Sequence, residues 1–175
     1  GHPLRRGDYF LSVGRVAKMK GVDLAIRAGN ELKLPLKIVG SGAGESYLRS
    51  IAGPTIEFLG SVDDKTLVQL YAGCMAVVFP AEDEDFGIVP VEAMGYGKPV
   101  IAYNSGGVKE TVIDGKTGIL FDELTVGGLV AAIRKFGEMK FDSKAIRKHA
   151  EKFSKERFQK EMKDLVEKEF SKLKK

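Results

Sequence analysis

Residues 75–102 read MAVVFPAEDEDFGIVPVEAMGYGKPVIA, and they decide the fold class. Met75-Ala76-Val77-Val78-Phe79 is apolar at every position, so a strand made of it needs cover on both faces. Val89–Gly97 then reads as a helix, with Pro90 in the first turn, where a missing N–H costs little. Val100-Ile101-Ala102 is the next apolar run. Strand, helix and strand in that order form a crossover between parallel strands. An unbroken apolar strand inside such a unit belongs at the centre of the sheet.

The same rhythm continues on both sides. Tyr9–Val13, Leu36–Val39, Ile56–Leu59 and Gly118–Leu120 read as strands. Between them, Leu24, Ile26, Ala28 and Leu32 mark a helix-like stretch, and Ser46–Ile51 a shorter one. Asp63 can cap a helix through Tyr71 that carries Leu67, Leu70 and Tyr71 on one face. The pattern predicts an α/β domain over 1–175, a single Rossmann-like, doubly wound parallel sheet. In such sheets ligands bind beyond the carboxyl ends of the strands. The loops to watch therefore start at Gly14, Gly40, Gly60, Pro80 and Tyr103. After Gly137 the texture changes. Phe158, Met162, Leu165, Val166, Phe170 and Leu173 recur at helical spacing, so 138–175 is expected to hold a long C-terminal amphipathic helix. Its apolar stripe should pack on this sheet or on another domain.

Composition narrows the chemistry. Cys74 stands alone, which leaves no disulfide framework and no thiolate metal cluster, and fits a reducing cytoplasm. The two histidines, His2 and His149, exclude a histidine-based metal site, and a Ser-His-Asp triad would need His149 from a polar tail. No apolar run approaches the ~20 residues of a membrane span. The net charge is +4. Residues 134–175 hold 15 Lys and Arg against 8 Asp and Glu, which leaves −3 for the rest. Nucleic acid is not the expected partner, because the excess is confined to one helical stretch with few aromatics. That stretch is either a solvated helix face or a peripheral contact with the inner face of an anionic membrane.

Three loops could carry chemistry. Gly14-Arg15-Val16-Ala17-Lys18-Met19-Lys20-Gly21 follows the first strand. Glycine permits a tight turn, while Arg15 and Lys20 offer a planar fork and a point charge suited to a diphosphate. The alternative is a basic surface loop. Glu84-Asp85-Phe86-Gly87-Ile88-Val89-Pro90-Val91-Glu92 runs from the central strand into a helix whose free N–H groups attract anions. Glu84 and Glu92 would repel phosphate, so they make sense as acceptors for sugar hydroxyls. The alternative is that Glu84 or Asp85 interacts with the helix dipole and Glu92 is a surface residue. Asn104-Ser105-Gly106-Gly107 and Asp114-Gly115-Lys116-Thr117-Gly118 are glycine-rich turns at the same edge.

Other motifs fail. Gly40-Ser41-Gly42-Ala43-Gly44-Glu45 lacks the third glycine of a dinucleotide fingerprint and follows the second strand. Gly115-Lys116-Thr117 ends like a P-loop, but the earlier glycine position is Glu110. Asp83-Glu84-Asp85 offers at most a weak Mg²⁺ site. Cys74 is expected to be a buried strand residue, not a nucleophile.

Together these pieces resemble the C-terminal domain of retaining glycosyltransferases of the GT-B type, in which two Rossmann-like domains face each other. More narrowly, the chain is similar to the hexosyltransferases related to glycogen and sucrose synthases, a family that includes many mannosyltransferases. The resemblance runs from about Phe10 to Leu120 and extends toward the end of the chain. It rests on Gly14-Arg15 with Lys20-Gly21, Phe58-Leu59-Gly60, Glu84-x-Phe86-Gly87-x4-Glu92-Ala93-Met94, Gly97–Ala102, Gly106-Gly107-x2-Glu110 and Asp114-Gly115-x2-Gly118.

The resemblance implies roles at the matching positions. Arg15 and Lys20 hold the donor diphosphate, and with Glu84, which touches the donor sugar, they form the catalytic set. Glu92 accepts hydrogen bonds from the ribose. The backbone of Phe86, Gly87, Ile88 and Val89 meets the sugar and distal phosphate. Ser61 and Val62 lie by the base, and Gly14 and Gly40 line the site. The implied donor is a GDP- or UDP-hexose, with mannose favoured on family frequency, and the acceptor is a saccharide or a lipid-linked sugar. No cofactor and no metal are implied, since two cations can stabilise the leaving diphosphate. The family's first domain, which carries acceptor recognition, lies outside these residues, so the expectation is donor binding without useful transfer. Two other functions remain open: half of a nucleotide-sugar epimerase, and a non-enzymatic nucleotide-sugar-binding module.

Overall fold

The computed structural model describes residues 7–16, 21–82 and 88–173, with the main chain alone at 154–162 and 165. Six strands, β1 (Phe10–Val13), β2 (Leu36–Val39), β3 (Ile56–Gly60), β4 (Ala76–Phe79), β5 (Val100–Tyr103) and β6 (Gly118–Phe121), form one sheet. The helices are α1 (Val22–Leu32), α2 (Glu45–Ile51), α3 (Asp64–Gly73), α4 (Ile88–Gly95), α5 (Val108–Thr111), α6 (Val126–Glu138) and α7 (Ser143–Leu173). The strand order is β3-β2-β1-β4-β5-β6 and every pairing is parallel. All carboxyl ends therefore share one edge. The order reverses between β1 and β4, where a crevice opens in folds of this kind.

The expected two-sided cover is present because the strand residues alternate between two cores. Ala76 and Val78 of β4, with Ile101 of β5, pack with α1 and α6. Val77 and Phe79 of β4, with Val100 and Ala102 of β5, pack with α3, α4 and the start of α7. Helix α1 buries Val22, Ala25, Ile26 and Gly29, the three-and-four spacing of one helix face.

Three helices depart from the sequence expectation; the short α5 has no counterpart in the pattern. Helix α6 was not marked by the pattern, since Gly127 and Gly128 in its first turn weaken helix propensity. Thr125 starts it by accepting from the Gly128 N–H at 3.0 Å, and Leu129, Val130, Ala132 and Ile133 bury against the core. A Cβ at Gly128 would overlap the Glu123 carbonyl, so close packing requires that glycine. The C-terminal helix starts at Ser143 and not near 138, where Asp142 Oδ1 accepts from the N–H groups of Lys144 and Ala145.

The first part of α7 belongs to this domain. Ile146 and Ala150 are buried beside α4, and Ser143 Oγ donates to the Gly97 carbonyl at 2.8 Å. His149 is half-buried and not in a polar tail: its Nε2 lies 2.7 Å from the Thr111 carbonyl. Further along, Val166, Phe170 and Leu173 are exposed, and the side chains of Phe158, Met162 and Leu165 lie outside the described residues. Cys74 is buried, but it ends α3 and does not belong to a strand. Burial pushes its thiol up to about 11, against a nucleophilic role. Among the described residues no helix is long and apolar enough to cross a membrane.

Candidate functional site

The carboxyl ends of β1, β2 and β3 are laced together by main-chain contacts. The Gly14 N–H donates to the Val39 carbonyl at 3.1 Å, the Gly40 N–H to Gly60 at 2.8 Å and the Val16 N–H to Ser41 at 3.2 Å. A Cβ at Gly40 would overlap the Gly14 carbonyl oxygen, and Gly40 has φ 124°, a region that favours glycine. The Gly40–Glu45 run, which fails as a dinucleotide fingerprint, is thus glycine-rich where two loops must touch.

Arg15 projects from this corner. Its neighbour Val16 is fully buried and anchors the loop, while Arg15 is exposed. Among the described residues no carboxylate forms an ion pair with it. The loop returns at Gly21, whose Cβ would overlap the Pro80 carbonyl just beyond β4. The stretches after β1 and β4 therefore meet at the point where the strand order reverses. Lys20, Glu84, Phe86 and Gly87 lie outside the described residues.

On the other side of the crevice, Ile88 and Val89 open α4; Ile88 is exposed and Val89 half-buried. Helix α4 buries Val91, Ala93 and Met94 and turns Glu92 outward. Glu92 is not a bare surface residue. Tyr71 Oη on α3 donates to its Oε2 at 3.1 Å. The Tyr71 ring stacks on Tyr96 with centroids 5.4 Å apart and planes 9° from parallel. Burial, then the charge and hydrogen bond of Glu92, push the Tyr71 phenol well above its ordinary 10, so it stays a donor.

Ser61 and Val62 lead from β3 into α3. Ser61 is exposed, with its Oγ 3.2 Å from Ser41 Oγ, and Val62 is half-buried. Asp63 caps α3 as the sequence predicts, accepting from the Thr66 N–H at 2.8 Å. The two glycine-rich turns have structural work. Asn104 donates to Asp122 at 2.8 Å, tying the ends of β5 and β6. Thr117 is buried and its Oγ1 accepts from the Ile113 N–H at 2.8 Å, which closes the Asp114–Gly118 turn and rules out a P-loop there.

The structure thus brings Gly14, Arg15, Gly40 and Ser61 to one corner of the carboxyl edge, with Val62 on the chain leaving it. Ile88, Val89 and Glu92 lie on α4, whose first residues follow the β4 end of that edge. Sequence reasoning missed Tyr71 as the partner of Glu92, and Tyr96 as the ring stacked on Tyr71. The available signal was a phenol on an otherwise apolar helix face, because a buried tyrosine hydroxyl usually needs a partner. Which partner it takes is not a local property. Among the described residues no three His, Cys, Asp or Glu side chains gather as a metal site would require.

Comparison with known proteins agrees with this fold. The family profile described as "Glycosyl transferases group 1" matches residues 4–159. Glycogen synthase of Mycobacterium tuberculosis is 36% identical over 135 residues, which cover 71% of this chain and 33% of the relative. The alpha-1,3/1,6-mannosyltransferase ALG2 of Dictyostelium discoideum is 32% identical over 148 residues, covering 68% and 35%. A pneumococcal O-GlcNAc transferase, GtfA, solved with UDP and GlcNAc, superposes with a TM-score of 0.77 at 25% identity, covering 93% of this chain and 36% of its own. The chain spans about a third of the length of these curated relatives.

Proposed function

The chain belongs to the group 1 glycosyl transferase family, and from that premise we propose that it is the donor-binding domain of a retaining GT-B hexosyltransferase. The observation that carries this reading is the meeting of the β1 and β4 loops at the point where the strand order reverses. Arg15 is exposed there without an ion-pair partner among the described residues. A nucleoside diphosphate-hexose is the donor, and the likeness to a UDP-bound transferase supports a nucleotide at this edge. Mannose is the proposed sugar, in line with the mannosyltransferase relative.

In this reading Arg15 and Lys20 grip the diphosphate. When the bond between the sugar C1 and the diphosphate oxygen breaks, negative charge grows on the leaving group. Fixed cations stabilise that charge without reorganising and without a metal. Glu92 accepts from the ribose, and Glu84 meets the sugar hydroxyls. Acceptor binding and water exclusion fall to a partner domain of the full protein, so these 175 residues bind donor and turn it over negligibly.

Calorimetry with GDP, UDP and ADP and their hexose conjugates tests this, with Glu84→Ala as the probe of the sugar subsite. Glu84→Ala is expected to leave nucleoside diphosphate affinity unchanged and to weaken the sugar conjugate by about tenfold, the worth of one hydrogen bond to a charged group. Absence of nucleotide binding sinks the donor-site reading. Equal losses for both ligands would move Glu84 away from the sugar.

A further inference from the structure

We infer that Tyr71 is a positioning residue, which fixes one oxygen of the Glu92 carboxylate so that the other faces a ribose hydroxyl of the donor. The inference rests on the donor-site reading above and adds to it the group that prepares Glu92.

The geometry is specific. Glu92 is exposed on α4, and a free glutamate there would sample many rotamers, all but one of which must be abandoned on binding. Tyr71 removes that freedom before any ligand arrives. Its side chain is fully buried, and its ring is clamped by the parallel stack with Tyr96. A phenol has few rotatable bonds, so its hydroxyl sits at a nearly fixed point, 3.1 Å from Glu92 Oε2. The proton remains on the phenol, because burial and the neighbouring carboxylate disfavour its loss. Tyr71 therefore donates, and Glu92 Oε2 accepts. A carboxylate has two oxygens, and the bond from Tyr71 engages one. The remaining oxygen is the acceptor left for a sugar hydroxyl. Packing alone does not explain the arrangement, since phenylalanine would fill the same space without a hydrogen bond.

The prediction concerns a ratio. UDP and GDP are each compared by calorimetry with their 2′-deoxy and 3′-deoxy counterparts, on the parent chain, Tyr71→Phe, Glu92→Ala and the double variant. Thermal melts accompany each titration. The parent is expected to prefer the ribonucleotide to at least one deoxy form by about tenfold. Tyr71→Phe should bring that preference to about threefold or less. Glu92→Ala should abolish it, and the double variant should match Glu92→Ala. A purely structural role would weaken ribo and deoxy forms together and leave the ratio intact, because base and phosphates are shared.

If Tyr71→Phe keeps the parent ratio while Glu92→Ala loses it, the positioning role is overturned and the ribose contact stands. If Glu92→Ala also keeps the ratio, or the parent shows no preference, Glu92 does not read the ribose and the inference falls with that contact. Should Tyr71→Phe not fold, Tyr96→Leu answers the same question, since it removes the ring that clamps the phenol and leaves Glu92 intact. Loss of the preference in Tyr96→Leu supports positioning, and an unchanged ratio overturns it.

Discussion

At Gly14 and Gly40 the chain is held by main-chain hydrogen bonds and, at Gly40, by an approach too close for a Cβ; at Glu92, inside α4, it is the side chain that is set, by a phenol backed by a stacked ring. The first corner joins three strand ends whose backbones are in contact. The second joins two helices through a phenol, a carboxylate and a stacked ring. A corner made of backbone has little room for substitution and governs folding. A corner made of side chains can lose an atom and keep the fold, so its losses appear in ligand affinity.

Gly40→Ala strikes the backbone corner hardest. The added Cβ meets a carbonyl oxygen that cannot move without shifting β1, and the backbone at φ 124° is itself strained for alanine. The expected cost is about 3–5 kcal/mol, a fall in Tm on the order of 10 °C for a chain of this size. Gly14→Ala sharpens the contrast. Gly14 also has positive φ, 143°, but a Cβ there meets nothing within 4 Å. Only the backbone term remains, about 1–2 kcal/mol. Equal melting shifts for the two variants would show that the close approach at Gly40 carries no weight.

Arg15→Ala and Lys20→Ala come next, in affinity and not in stability. Each removes a charge-assisted hydrogen bond of about 1.5–3 kcal/mol, so nucleoside diphosphate binding should weaken by on the order of 10- to 100-fold. The melting temperature of unliganded Arg15→Ala should stay at the parent value, because Arg15 is exposed. If both variants bind like the parent, the proposed diphosphate site is wrong.

The smallest effect belongs to Asp63, where a side chain caps α3 next to the backbone corner. Hydrogen bonds from Thr66 hold its carboxyl below the usual carboxylate range. Its contribution to stability is therefore complete above the unfolded pKa and is lost as pH falls through the lower folded value. The carboxyl is fully exposed, so the effect is small. Asp63→Ala should lower Tm slightly at pH 7, and the gap to the parent should close in strong acid. A gap independent of pH would assign the effect to helix propensity.

Much of this was legible in the sequence. The strands, the Asp63 cap, Pro90 near the start of α4 and the loops at the carboxyl edge all lie within a few residues of their predicted places. Helix α6 was not, because two glycines diluted its period, and it is recovered by a cap and by packing against α1. Val166, Phe170 and Leu173 lie on a helix as expected, yet their exposure could not be read from spacing, since the same spacing serves a covered face and an open one.

By itself the sequence determined the class of the fold and the loops that could bind an anion, because period, capping and turn chemistry act over a few neighbouring residues. It also carried the motifs that mark the group 1 glycosyl transferase family, whose profile matches 4–159. Tertiary structure decided the rest. The order β3-β2-β1-β4-β5-β6 sets β1 against β4, so the loop at Arg15 returns at Gly21 against Pro80. The fold alone makes Gly40 indispensable to Gly14, and it alone gives Tyr71 a partner 21 residues away on another helix. Those contacts depend on how whole elements stack to bury both faces of the sheet, and no short window of residues contains that information.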